Sequence, residues 1–197
     1  MHGVSRRQVL ITATALSCPG VRAQGRLAPA APPWPQEVRQ LGADARLQGQ
    51  MRFRYWGFHV YDAQLWVRPG FDPLRPLAHP FALSLVYARE LLAQDIAERS
   101  LEEIERQTRV SPEQAERWRA HLQQALADVV PGDRLTGIHR PDGAAAFFHN
   151  ARPTAVVNDP VFAGLFFGIW LSPQTSAPAL RRALLRLRAD QERDLGT

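Results

Sequence analysis

A chain of 197 residues is long enough for one well-formed hydrophobic core and too short for two ordinary domains. All 24 basic residues are arginine, and the formal charge of +5 shrinks once Arg6, Arg7 and Arg22 are set aside with a leader. The only remaining basic run is Arg181, Arg182, Arg186 and Arg188, read as a solvated helix face. That pattern argues against a nucleic-acid partner.

In chain order, the first feature is Ser5-Arg6-Arg7-Gln8-Val9-Leu10, followed by a modestly apolar stretch to Cys18 and then Val21-Arg22-Ala23. A basic start, a short apolar region and small residues before a cleavage point are the marks of an export signal, too short for a permanent membrane span. The twin arginines specify a Tat-type signal over residues 1–23 and a periplasmic destination. Ala15-Leu16-Ser17-Cys18 leaves open an alternative, lipoprotein processing with a membrane anchor at Cys18. Cleavage after Ala23 removes the single cysteine, which excludes disulfides, thiolate catalysis and cysteine-held metal together.

Residues 24–36 are rich in Ala and Pro and read as an extended tether. The domain is expected over residues 37–190. Met51, Phe53 and Tyr55 alternate with Arg52, Arg54 and Trp56, and a second strand runs from Phe58 to Val67 after a bend or bulge at Gly57. Phe81 to Tyr87 reads as a strand buried on both faces. Leu92 to Gln107 has helical spacing, with Glu98, Glu102, Glu103 and Glu105 expected on its solvated face. Ser111-Pro112-Glu113-Gln114 opens another helix with a capping box, and Ala115, Trp118, Leu122, Ala125, Leu126 and Val129 form its apolar stripe. Pro141-Asp142-Gly143 turns a hairpin between Arg134–Arg140 and Ala144–Asn150. Asp159-Pro160 caps a short helix over Val161–Phe167, and a final helix spans Ser176–Arg188. Strands, then helices, then strands predict an α+β fold.

The histidines His59, His79, His121, His139 and His149 lack metal-ligand spacing, and no phosphate-binding glycine loop or nucleophile elbow is present. No metal and no cofactor is expected.

The ordered set Gly49-x-x-Arg52, Val60-Tyr61-x-Ala63-x-Leu65-Trp66, Tyr87-x-Arg89-Glu90, Pro131-Gly132-Asp133, Phe166-Phe167-Gly168-Ile169-Trp170-Leu171 and Leu180-Arg181-x-x-Leu184-Leu185 resembles the bacterial chalcone-isomerase-like family from Leu47 to Leu185. The resemblance implies an open-faced β-sandwich, a curved antiparallel sheet covered by helices with a cleft between them. It assigns Arg52 as the candidate catalytic and ligand-binding residue, with Arg54 one register step away. Tyr61 and Tyr87 join them as candidate ligand-binding residues, against the plainer reading that both are buried core tyrosines. The tyrosine that plant isomerases use in the segment Tyr87–Ala93 is not visible, which weighs against the isomerase reaction.

Three readings follow: a periplasmic binder of a small apolar or aromatic acid such as a fatty acid, an intramolecular lyase of the chalcone–flavanone type, or an accessory protein with a filled core. The leader makes a specific prediction. The mature protein should begin at Gln24, and replacing both Arg6 and Arg7 with Lys should keep it in the cytoplasm. Intact-mass analysis and fractionation check this, and a retained Met1 or undiminished export refutes it.

Overall fold

Alternation of apolar and polar side chains, which lets one face of a strand bury while the other meets water, begins just after Ala45. In the computed structural model, which describes residues 34–188, six strands, the middle ones buried on both faces, pair into one antiparallel sheet. They are β1 (Arg46–Tyr55), β2 (Phe58–Val67), β3 (Phe81–Tyr87), β4 (Arg134–His139), β5 (Ala145–His149) and β6 (Arg152–Val157), in the spatial order of the chain. Helices α1 (Ala93–Glu105) and α2 (Pro112–Ala125) are inserted between β3 and β4, while α3 (Pro160–Leu171) and α4 (Pro178–Leu185) follow β6. The architecture is an α+β, open curved sheet covered by helices. The leader, Cys18 and the tether up to Pro33 lie outside the described residues.

Local chemistry sets the joints. Trp56 and Gly57 form a two-residue turn between β1 and β2, both with positive φ (51° and 82°), the backbone form whose twist suits a hairpin. Ser111 caps α2 through a complete capping box with Gln114. The Asp159 carboxylate accepts from the amides of Val161 and Phe162 at the start of α3, and from the Trp118 indole of α2 at 3.0 Å. One acidic side chain thereby joins two helices. Burial opposes its ionisation, but the donors from Phe162, Trp118 and Val161 prevail and hold the carboxyl below its usual range.

The helices cover one face of the sheet, and the other is covered in part. On one, Leu65, Phe81, Leu83, Leu85 and Phe147 pack with Trp118, Leu122, Phe162, Phe167 and Leu184 from the helices. On the other, a short 3-10 helix, Gln36–Leu41, lays Val38 and Leu41 over Trp66, Ile138 and Phe148. Glu37 beneath it is buried, yet it accepts from Arg134 Nε at 2.9 Å and Thr136 Oγ1 at 2.6 Å. Desolvation would raise its pKa, but those partners outweigh burial and lower it.

Several expectations are revised. Strand β6 was not anticipated, α2 stops at Ala125, and α3 continues through Ile169-Trp170-Leu171. Glu103 is buried, unlike Glu98, Glu102 and Glu105, because Arg99 bonds it and Arg106 lies 3.9 Å away. Arg181 is also buried, donating from Nε to the Leu171 carbonyl at 2.9 Å, so the basic run on α4 is not wholly a solvated face.

Gly49 marks the closest approach of helix to sheet. A Cβ there would lie 2.2 Å from the Ala183 carbonyl oxygen and 2.4 Å from that of Leu184, and backbone cannot swing aside. Gly49→Ala should therefore destabilise by about 3 kcal/mol, at the upper end for overpacking. Trp118→Ala, which also removes one of the three donors to Asp159, should cost about 3 to 5 kcal/mol. Urea unfolding measures both, and a Gly49→Ala protein as stable as wild type would contradict the packing of α4 on β1.

Candidate functional site

The space between sheet and helices is not filled everywhere. A cavity of about 360 Å³ lies over β2, β3 and β4, walled by Leu83, Leu85, Leu135, Phe147, Phe166 and Trp170. Its volume lies in the range of small-molecule sites. A second hollow of about 520 Å³ sits on the outer side of α3 against Leu74–Ala78, with no strand residue in its lining.

The helical wall is held in place by backbone pairing. Leu91 and Val129 exchange N–H to O=C bonds of 3.0 Å, and the Ala93 amide donates to Asp128 Oδ1 at 2.8 Å. These bonds anchor the first turn of α1 where β3 ends. Helical spacing then turns Ile96, Arg99, Ser100 and Glu103 along one side, where all four line the cavity.

The cavity is mainly apolar, with Tyr61, Tyr87, Arg89, Arg99 and Glu103 among its polar lining residues. Tyr61 and Tyr87 face each other across the β2–β3 register, their rings 5.7 Å apart edge to face, and Phe53 stacks on Tyr61 at 4.9 Å. The Tyr61 oxygen accepts from Trp170 Nε1 at 3.1 Å. Burial pushes the Tyr61 hydroxyl up to about 12; the Trp170 donor pulls it back, while Glu103 raises it and Arg99 lowers it. Burial likewise pushes Tyr87 up, reinforced by Tyr61. The Tyr87 hydroxyl makes no hydrogen bond among the described residues, although Tyr87 is 4% exposed and lines the cavity. Lining the cavity without a protein partner, this hydroxyl is free to donate or to accept there. Arg89, Arg99 and Asp95 also line the cavity, and all three are exposed to solvent. Arg99 bonds Glu102 at 2.9 Å as well as the buried Glu103.

The structure separates the four residues singled out from the sequence. Tyr61 and Tyr87 meet in the cavity. Arg52 does not line it: in a strand whose neighbour Phe53 points inward, Arg52 projects to the other face, where its Nε lies 3.0 Å from Asp62 Oδ1. His59 Nε2 approaches the same oxygen at 3.2 Å. Arg54 also lies outside the lining, and its guanidinium donates to the Gly57 carbonyl at 3.1 Å. The basic residues at the cavity are instead Arg89 and Arg99, which sequence reasoning passed over. The signal for the second was present: Arg99, Glu103 and Arg106 recur at helical spacing, a pattern that can hold a carboxylate under cover.

The Tyr61 environment is measurable. Its folded pKa stands above the ordinary value near 10, so its contribution is fully present below pH 10 and is lost as the pH rises from 10 towards 12. Tyr61→Phe should lessen that alkaline slope and leave the share that Tyr87 contributes, and it should cost roughly 1 to 3 kcal/mol at neutral pH by orphaning the Trp170 indole. Denaturant unfolding from pH 8 to 12 checks both, and an unchanged slope would place Tyr61 in solvent.

Comparison with known proteins completes the description. A family model for chalcone isomerase-like proteins matches residues 34–186. An uncharacterised protein of Haemophilus influenzae is 29% identical over 139 residues, covering 66% of this chain and 63% of that one; the match thus spans less than two thirds of the relative. The crystal structure of an Arabidopsis thaliana fatty-acid binding protein superposes with a TM-score of 0.59 at 9% identity, covering 78% of this chain and 92% of the other. At that identity the likeness speaks to fold. With most of the described chain inside the family match, this protein belongs to the chalcone isomerase-like family.

Proposed function

We propose that the protein binds a small apolar acid, such as a fatty acid, with its tail between sheet and helices and its head group near Arg99 and Arg89. The observation that carries this reading is the apolar cavity containing the unpartnered Tyr87 hydroxyl, with guanidinium groups on its exposed side. An acid head buried without a cation would lose several kcal/mol or take up a proton. Keeping the head at the rim avoids that cost, and it also keeps the head away from the buried Glu103 carboxylate. The Arabidopsis protein of the same fold is a fatty-acid binding protein, which supports the ligand class. The Arg6-Arg7 leader supports a periplasmic setting.

The test is a titration with a fluorescent long-chain fatty acid, alongside native mass spectrometry for a co-purifying acid. Leu85→Trp, which fills the cavity, should weaken binding at least tenfold, or about 1.4 kcal/mol. Arg99→Gln should cost about 1.5 to 3 kcal/mol, the range for a hydrogen bond to a charged group. Arg52→Ala should change little, since Arg52 faces away. Equal affinities for wild type and Leu85→Trp would overturn the reading, and rapid ring closure of an added chalcone would replace a carrier with an isomerase.

A further inference from the structure

The turn that joins β1 to β2 carries the most exposed aromatic residues of the described chain. Trp56 is 84% exposed, Phe58 61% and Tyr55 54%. Trp56 also holds φ at +51°, the left-handed region in which Asn, Asp and Gly are at ease and a bulky side chain is an outlier. Neither burial nor local backbone preference explains a tryptophan at this position. Two arginines stand with the aromatic side chains: Arg89 lies over the Phe58 ring at 4.9 Å, and Arg54 reaches back to the Gly57 carbonyl. Neither has a carboxylate partner among the described residues, whereas the nearby Asp62 is already engaged by Arg52 and His59. The same tip borders the cavity, because Tyr55 and Arg89 belong to both.

We propose that the tip of the β1–β2 hairpin docks into the headgroup layer of an anionic phospholipid bilayer and brings the cavity rim to the membrane surface. Tryptophan and tyrosine favour that layer, where the ring is partly dehydrated and its polar edge stays wet, and arginine pairs with phosphate through its planar fork. A two-residue turn and its flanks supply only a few side chains, where a stable protein interface takes roughly 20 to 30 residues a side, so a bilayer suits it better than a second copy. No helix of the described chain is long and apolar enough to cross a membrane; the contact is a surface one. Cargo leaving the cavity here would meet lipid after a short path. The proposal goes beyond the carrier reading and holds whether or not the cavity is loaded.

The test uses the full chain with sedimenting vesicles of phosphatidylcholine alone and of an equal mixture with phosphatidylglycerol. Trp56→Asn suits the left-handed turn, so the variant should unfold at or above the wild-type temperature while its bound fraction on mixed vesicles falls roughly tenfold. Arg54→Gln with Arg89→Gln should abolish the preference for phosphatidylglycerol. Brominated acyl chains should quench a fluorescence component that Trp56→Asn removes. Attachment through the N-terminal segment is common to all variants and leaves that component unaltered. The cavity-filled Leu85→Trp protein should bind vesicles as wild type does, so that failed cargo binding and failed docking are told apart. Two results would overturn the proposal: no quenching attributable to Trp56, or a dimer on a sizing column that Trp56→Asn dissociates.

Discussion

The helical layer depends on where one carboxylate sits. Asp159 ends the loop after β6, caps α3 with two backbone bonds and receives the indole of Trp118 from α2. Those three donors converge on a half-buried side chain, so a displacement of α2 would strip the buried Trp118 indole of its acceptor, a larger loss than a weakened apolar contact. With α3 fixed against α2, Phe162, Phe166, Phe167 and Trp170 are fixed as well. Phe162 stacks on Phe166, which meets Phe167 and Trp170 edge to face, at centroid distances of 5.3 to 5.7 Å, and Phe166 and Trp170 form part of the cavity wall.

On the opposite face of the sheet another carboxylate, this one buried, performs a comparable task. Glu37 pins the 3-10 helix to β4 through Arg134 and Thr136, and the Thr136 hydroxyl meets Ser84 of β3 at 3.0 Å. The bond between Ser84 and Thr136 crosses the two strands that bracket the whole α1–α2 excursion. Both carboxyls are held below their usual range despite burial, so each supports the fold above the ordinary carboxylate range and ceases to do so as acid protonates it.

Local signals made much of this fold legible in the sequence. Alternation marked β1, the dense apolar run marked β3, and Ser111-Pro112 with Gln114 fixed the start of α2 to the residue. Strand β6 was hidden because Arg152-Pro153-Thr154-Ala155-Val156-Val157 contains a proline and lies mostly exposed at the sheet edge, which is where proline is tolerated. The site was half legible. Tyr61 and Tyr87 could be named because the family pattern spans them. Arg52 illustrates the limit: a spacing motif places a residue on a strand, but only pairing decides its face, and β1 shifts register twice against β2, between Leu47 and Gly49 and between Phe53 and Arg54. The spacing of Arg99, Glu103 and Arg106 marks a covered carboxylate on α1, but that this face meets the cavity follows only from α1 folding back over the sheet.

An open sheet leaves two strands with unpaired rims, and the register shifts of β1 take on another meaning there. A regular, flat outer strand is a template on which another chain can add its own, the first step towards ordered aggregates. Here β1 is kinked twice, carries Arg46, Arg52 and Arg54, and has α4 packed so closely at Gly49 that no Cβ fits. The other rim, β6, is interrupted by Pro153, and β5 shifts register against it between Phe147 and Phe148. Both ends of the sheet are thus poor substrates for strand addition, and the irregularities that obscure its reading from sequence help to keep the molecules apart at high concentration.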